Sequence, residues 1–192
     1  MHIVGLAASP RLNSNSELLL DALLAGAQAG GAEVEKIRLA EADIHACVGC
    51  ELCSLEGVCQ FDDRANEIFT QLLAADVVVL ATPVYFYSVT TQAKLLIDRA
   101  QALWARHKLQ SPADDPPRGR AVLLAVGASN GDRLFDGIVL TVRTFVDTLH
   151  KDLTDRLFFR NVDQKRAILA QPEALAQARA LGESLAANKE QR

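Results

Sequence analysis

The chain has 192 residues, of which 49% are apolar and 23% charged, a globular composition that excludes a disordered or fibrous protein. Its length fits one domain over 1–192. With 24 acidic against 20 basic side chains, the formal charge of −4 provides no broad basic footprint for nucleic acid. All four cysteines fall between positions 47 and 59. A disulfide framework would spread them along the chain, so the cluster points to a metal or redox site in a reducing compartment. The N-terminal stretch lacks the basic region of a signal peptide. The longest apolar run is broken at Pro83, short of the ~20 residues a spanning helix needs, so a cytoplasmic location away from membranes is expected.

Residues 2–8 form a short, continuously apolar run and read as a buried parallel strand. A helix is predicted over 16–29, with Ser16 as N-cap, Glu17 in its first turn and Gly30-Gly31 as its stop. An edge strand follows at 33–39. Residues 45–62, which hold the cysteines, have no period and read as a long loop. A helix at 63–74 is capped by Asp62 or Asp63, and the β-branched run 76–81 is the strongest strand. A long helix at 90–107, a Pro/Asp/Gly-rich surface loop at 110–119, a strand at 121–126 and a helix at 135–150 come next. A strand at 154–159 and a helix at 172–188 complete the chain. This alternation predicts an α/β fold with a doubly wound, five-stranded parallel sheet. Such sheets bind ligands at the carboxyl ends of their strands, beside the switch point, which directs attention to the loops after strands one, three and four.

The first of these loops runs from Ser9 through Arg11, Asn13, Ser14 and Asn15 to Ser16, and contains no acid. Hydroxyls, amides and a guanidinium at a helix N-terminus make an anion cradle. The G-x-G-x-x-G of a dinucleotide loop and the Gly-Lys-Ser/Thr of a P-loop are both missing, so a terminal phosphate monoester such as that of FMN suits it better. The plainer alternative is a polar loop with a serine cap. After strand three, Tyr85, Phe86 and Tyr87 stand in consecutive positions. They suit a flat heteroaromatic ring, or else a plug over the sheet or a subunit contact. The small residues 127–132 after strand four could lie on the ring's other face. A phosphoryl-receiver domain would need carboxylates at the ends of strands one and three, where Ser9 and Thr82-Pro83 stand instead.

Ser9-Pro-Arg with Asn15-Ser16, the cysteine segment through Asp63, Thr82-Pro-Val-Tyr-Phe86 and Lys94-Leu-Leu-Ile-Asp-Arg99 together form a familiar order. This set resembles the NAD(P)H-dependent FMN reductase family of flavodoxin-like proteins, and within it the branch that includes the iron–sulfur flavoproteins. The likeness covers the chain to about residue 185. It implies a flavodoxin-like three-layer sandwich of strand order 2-1-3-4-5, with FMN at the switch point. By match to the family, Ser9, Arg11, Asn15 and Ser16 would hold the FMN phosphate. Pro83, Val84, Tyr85, Phe86 and Tyr87 would lie along the isoalloxazine, with Gly127 completing the pocket. The family usually carries glycine where this chain has Ser14, a departure within the phosphate loop.

Cys47, Cys50, Cys53 and Cys59 follow the spacing C-x2-C-x2-C-x5-C. Three thiolates so close together can wrap a [4Fe–4S] cluster, whereas zinc usually takes two C-x2-C knuckles farther apart. Cluster-free thiols, with Cys50 and Cys53 as a redox pair, stay open beside the cluster. His45 is the one histidine near this segment. Lys94 and Asp98 read as a helical ion pair, Arg99 as a further member of such a pair, and Trp104 as core or interface.

The resemblance implies an enzyme in which NAD(P)H delivers hydride to FMN and a small acceptor of quinone, nitro or azo type removes the electrons. Backbone N–H groups of the aromatic loop would face the flavin's pyrimidine edge, and no protein acid or base is required. The alternative is an iron–sulfur flavoprotein that relays electrons between partner proteins. A homodimer or homotetramer is expected, with the apolar helix near 90–105 as interface.

Overall fold

The computed structural model describes residues 1–109 and 118–187. Its sheet contains β1 (His2–Ala7), β2 (Glu33–Arg38), β3 (Val77–Pro83), β4 (Gly119–Val126) and β5 (Lys151–Phe159). All pairings are parallel and the order is β2-β1-β3-β4-β5, the topology expected from the sequence. The helices are α1 (Asn15–Ala29), α2 (Leu52–Glu56), α3 (Arg64–Ala74), α4 (Thr91–Arg99), α5 (Gln101–Leu109), α6 (Asp136–Asp147) and α7 (Pro172–Ala187). Most of the expected loop at 110–119 lies outside the described residues, as does Asn188 at the end of the last expected helix.

The unbroken apolar runs have a simple cause. Alternate side chains of each central strand feed two separate cores. Val4, Leu6, Val78, Leu80, Leu123 and Ala125 pack with α3, α4 and α6 on one face. Ile3, Ala7, Val77, Val79, Val122 and Leu124 pack with α1 and α7 on the other. The outer strands β2 and β5 each carry four charged side chains, as edges should. Helices α1 and α7 come into close contact because Gly182 has no side chain; a Cβ there would lie 2.0 Å from the Leu23 carbonyl oxygen.

Four local expectations are corrected. The N-cap of α1 is Ser14, not Ser16: its hydroxyl accepts the Glu17 N–H at 3.2 Å. The long helix expected at 90–107 is two helices, because the Ala100 N–H is shared between the Leu96 and Ile97 carbonyls and the turn tightens there. The cysteine loop is not wholly irregular, since it contains the single-turn helix α2. Trp104 is neither buried nor core: it is 43% exposed, with the Lys108 ammonium 3.7 Å from its ring centre. Among the described residues no helix is long and apolar enough to cross a membrane.

Candidate functional site

The loop after β1 is shaped by its own polar groups. Ser9 is buried, and its hydroxyl accepts the Arg11 N–H at 3.2 Å. Asn13 takes the left-handed conformation (φ 53°) that asparagine tolerates, and donates its N–H to Glu17 at 2.7 Å. Ser14 sits in extended backbone at φ −75°, so the position makes no demand for glycine and the serine supplies a cap instead. Its hydroxyl also lies 3.4 Å from that of Ser16. Glu17 places a carboxylate in the first turn of α1, but Arg38 at 2.9 Å and Lys36 at 3.4 Å neutralise it. The helix N-terminus therefore keeps its attraction for an anion.

The next walls come from β3 and β4. Val84 N–H bonds to the Val126 carbonyl at 2.8 Å, extending the sheet ladder past the strand ends. Residues 85–88 then form a tight turn in which Tyr85 and Ser88 exchange both backbone hydrogen bonds at 2.9 Å. Phe86 (φ 50°) and Tyr87 (φ 61°) occupy its two left-handed central positions. Thr90 anchors the far side by donating its hydroxyl proton to the Ala8 carbonyl at 2.6 Å. Gly137 of α6 lets the helix meet this turn, for a Cβ there would lie 2.2 Å from the Tyr87 oxygen.

These loops enclose a cleft of about 100 Å³ at the carboxyl ends of β1, β3 and β4. Ser9, Arg11, Asn15 and Ser16 line it from one side, and Pro83, Val84, Tyr85 and Gly127 from the other. Phe86 and Tyr87 are not among its lining residues; the Phe86 side chain is wholly exposed. A fourth wall comes from the segment after β5, where Val162, Asp163 and Lys165 face the cleft. The carboxyl-end rule that located the other loops applies equally to β5, and Lys165 was its visible cation. Asn15 holds this wall in place: its amide donates to the Gln164 carbonyl at 2.8 Å and accepts the Ile168 N–H at 3.1 Å.

The cysteine segment forms a second site. Cys47, Cys50, Cys53 and Cys59 all line one cavity of about 310 Å³ against the junction of α4 and α5. Cys47 and Cys50 are exposed, Cys53 and Cys59 half-buried. Beneath them lies Arg99, whose side chain is only 1% exposed. Its guanidinium donates to the Asp63 carboxylate at 2.6 Å, to the His45 carbonyl at 3.0 Å and to the Phe61 carbonyl at 3.1 Å. Asp63 also caps α3 through the Ala65 N–H, as expected. Burial alone would raise the Asp63 pKa, but hydrogen bonds from Arg99, from the N–H groups of His45 and Ala65, and from the His45 ring outweigh it, lowering the value to about 2. Lys94 and Asp98 make the expected exposed helical pair at 2.6 Å.

The family model for NADPH-dependent FMN reductase matches residues 1–150. The chain belongs to that family. An iron–sulfur flavoprotein of Methanocaldococcus jannaschii is 37% identical over 129 residues, covering 67% of this chain and 63% of that protein. The chain spans between 45% and 63% of the length of this and two other archaeal iron–sulfur flavoproteins it matches. Among solved structures, a flavone reductase superposes with a TM-score of 0.72 at 21% identity, over 97% of this chain and 62% of that one. An NAD(P)H:quinone oxidoreductase from Methanothermobacter marburgensis gives 0.71 at 18% identity, over 96% of this chain and 98% of that one. These likenesses carry the flavodoxin-like fold.

The family's FMN suits what the cleft offers. Hydroxyls at Ser9, Ser14 and Ser16, the α1 N-terminus, and the cations Arg11 and Lys165 are donors of the kind a phosphate needs. Membership in the FMN reductase family implies NAD(P)H as well. At the second site, four thiols distributed around one cavity suit a multi-iron cube. Arg99 also lines this cavity, and its buried Nε atom has no hydrogen-bond partner.

Proposed function

We propose that this chain is an FMN-dependent oxidoreductase that takes hydride from NADH or NADPH and reduces a small quinone-, nitro- or azo-type acceptor. The observation that carries this reading is the cleft at the sheet's switch point, with an acid-neutralised helix N-terminus at one end and the β3 turn at the other. Bound FMN would supply both the hydride acceptance and the release of electrons in ones or twos. The protein's task is to bind, orient and exclude water.

Ser9, Arg11 and Ser16 hold the phosphate in this reading, while Asn15 acts chiefly by ordering the 162–165 wall. Pro83, Val84 and Tyr85 lie along one side of the ring, and Gly127 closes the other. The N–H groups of Val84, Tyr85 and Ser88 are already used within the protein. Phe86 and Tyr87, at the turn's centre, do not line the cleft, and in this reading the turn contributes to the flavin site through Tyr85. The exposed Phe86, Tyr87 and Leu140 side chains are the apolar surface on which a homodimer or homotetramer would form.

The test is steady-state oxidation of NADH and NADPH by the FMN-loaded protein with menadione. Turnover with at least one nicotinamide is expected. A flavin-loaded protein that oxidises neither overturns the enzyme reading and leaves the second one, an electron carrier between partner proteins. That second reading draws its support from the four cysteines around one cavity. Iron and sulfide analysis of anaerobically purified protein separates a cluster from redox thiols.

A further inference from the structure

A buried arginine that contacts no cleft residue is an expensive feature, and Arg99 is the largest fully buried side chain among the described residues. Its three hydrogen-bond partners have a common property. His45 precedes the first cysteine of the segment, whereas Phe61 and Asp63 follow the last. One guanidinium thus ties both ends of the cysteine segment to the end of α4. The Phe61 ring lies 5.2 Å from it, and the His45 ring stacks on Phe61 at 4.9 Å, so both flanks pack around the same cation. Nε, a further donor of the guanidinium, is buried and has no hydrogen-bond partner. Arg99 and all four cysteines line the same cavity.

From this arrangement we infer that Arg99 is a positioning residue for an iron–sulfur cluster in this cavity, and that its fixed positive charge raises the cluster's reduction potential. The inference rests on the cluster reading given above. On reduction, a thiolate-ligated [4Fe–4S] cluster gains one electron and no atoms, adding negative charge to a group that is already negative. A cation held in a poorly solvated wall favours that reduced state. Asp63 opposes the effect by pairing with Arg99 at 2.6 Å, so the potential is set by the two together. A purely structural clamp would order the segment without moving the potential.

The experiment is spectroelectrochemical titration of the anaerobically reconstituted full chain, with iron counted in every sample. Arg99→Met should lower the midpoint potential, and Arg99→Lys should restore most of the shift. Asp63→Asn, which leaves the arginine less compensated, should raise it. Equal potentials in iron-loaded wild type, Arg99→Met and Asp63→Asn would overturn the inference. If Arg99→Met fails to fold or load iron, Asp63→Asn alone decides: an upward shift supports the inference, and an unchanged or lowered value refutes it. A wild-type chain that takes up no iron from iron and sulfide refutes the cluster reading itself, a failure visible before any variant is made.

Discussion

Asp63 does three jobs with one carboxylate: it caps α3, fixes the His45 backbone and neutralises Arg99. Each partner donates to the ionised form, which is why its pKa falls from 3.8 to about 2 although burial opposes ionisation. A carboxyl group depressed in the folded state contributes stability above its unfolded pKa, and that contribution is lost as pH falls through the folded value. The difference of nearly two pH units corresponds to about 2 kcal/mol. Wild-type protein should therefore lose about 2 kcal/mol more than Asp63→Asn between pH ~5 and pH ~2. Urea midpoints over that window check it, and parallel curves for the two proteins would show that Asp63 is not the group responsible. The residue was legible in the sequence as a cap. Its pairing with Arg99, 36 positions away, was not, because helical spacing directs attention to the neighbouring Lys94 and Asp98.

At the scale of elements, apolar runs and turn residues announce the sheet and most helices, because each central strand has no solvent-facing side. The aromatic turn shows where that legibility stops. Three adjacent aromatics read as one sticky surface, yet a two-residue turn sends its central side chains away from its flanks. Such turns favour Asn-Gly, and nothing in Phe86-Tyr87 signals one. The break at Ala100 has no Gly or Pro to announce it either. Phe86 holds a left-handed conformation costing roughly 1–2 kcal/mol, with no burial in the single chain to offset it. In the dissociated chain Phe86→Asn should consequently raise the melting temperature by about 2–4 °C, whereas in the homo-oligomer proposed above it removes a contact and should lower it. Thermal melts at several protein concentrations are the appropriate measurement. A lower, concentration-dependent melting point would show that the ring is covered by a second copy, whose contacts outweigh the strain.

Over the whole molecule, the cleft is the meeting place of four strand ends, and the fourth offers the sequence only a lone cation, Lys165. Ser9 to Ser16, Pro83 to Tyr85 and Gly127 each present distinctive chemistry. The fourth wall depends on contacts between Asn15 and residues 149 and 153 positions later, which local patterns do not register. It also falls beyond residue 150, where the family match ends. Asn15 accordingly has two competing roles, phosphate ligand or strut, and they make different predictions. Asn15→Ala takes one of two donors from the Gln164 carbonyl, which keeps the Ala167 N–H, and leaves the Ile168 N–H without a protein partner, a loss of about 1–3 kcal/mol in urea unfolding. If Asn15 is a strut, the loosened wall weakens FMN and riboflavin by the same factor, because the whole flavin loses one side of its enclosure. If its amide holds the phosphate directly, FMN weakens and riboflavin does not. Parallel fluorescence titrations with the two flavins distinguish these outcomes. Because both polar atoms of the amide are already engaged by backbone, the expected result is equal weakening of the two.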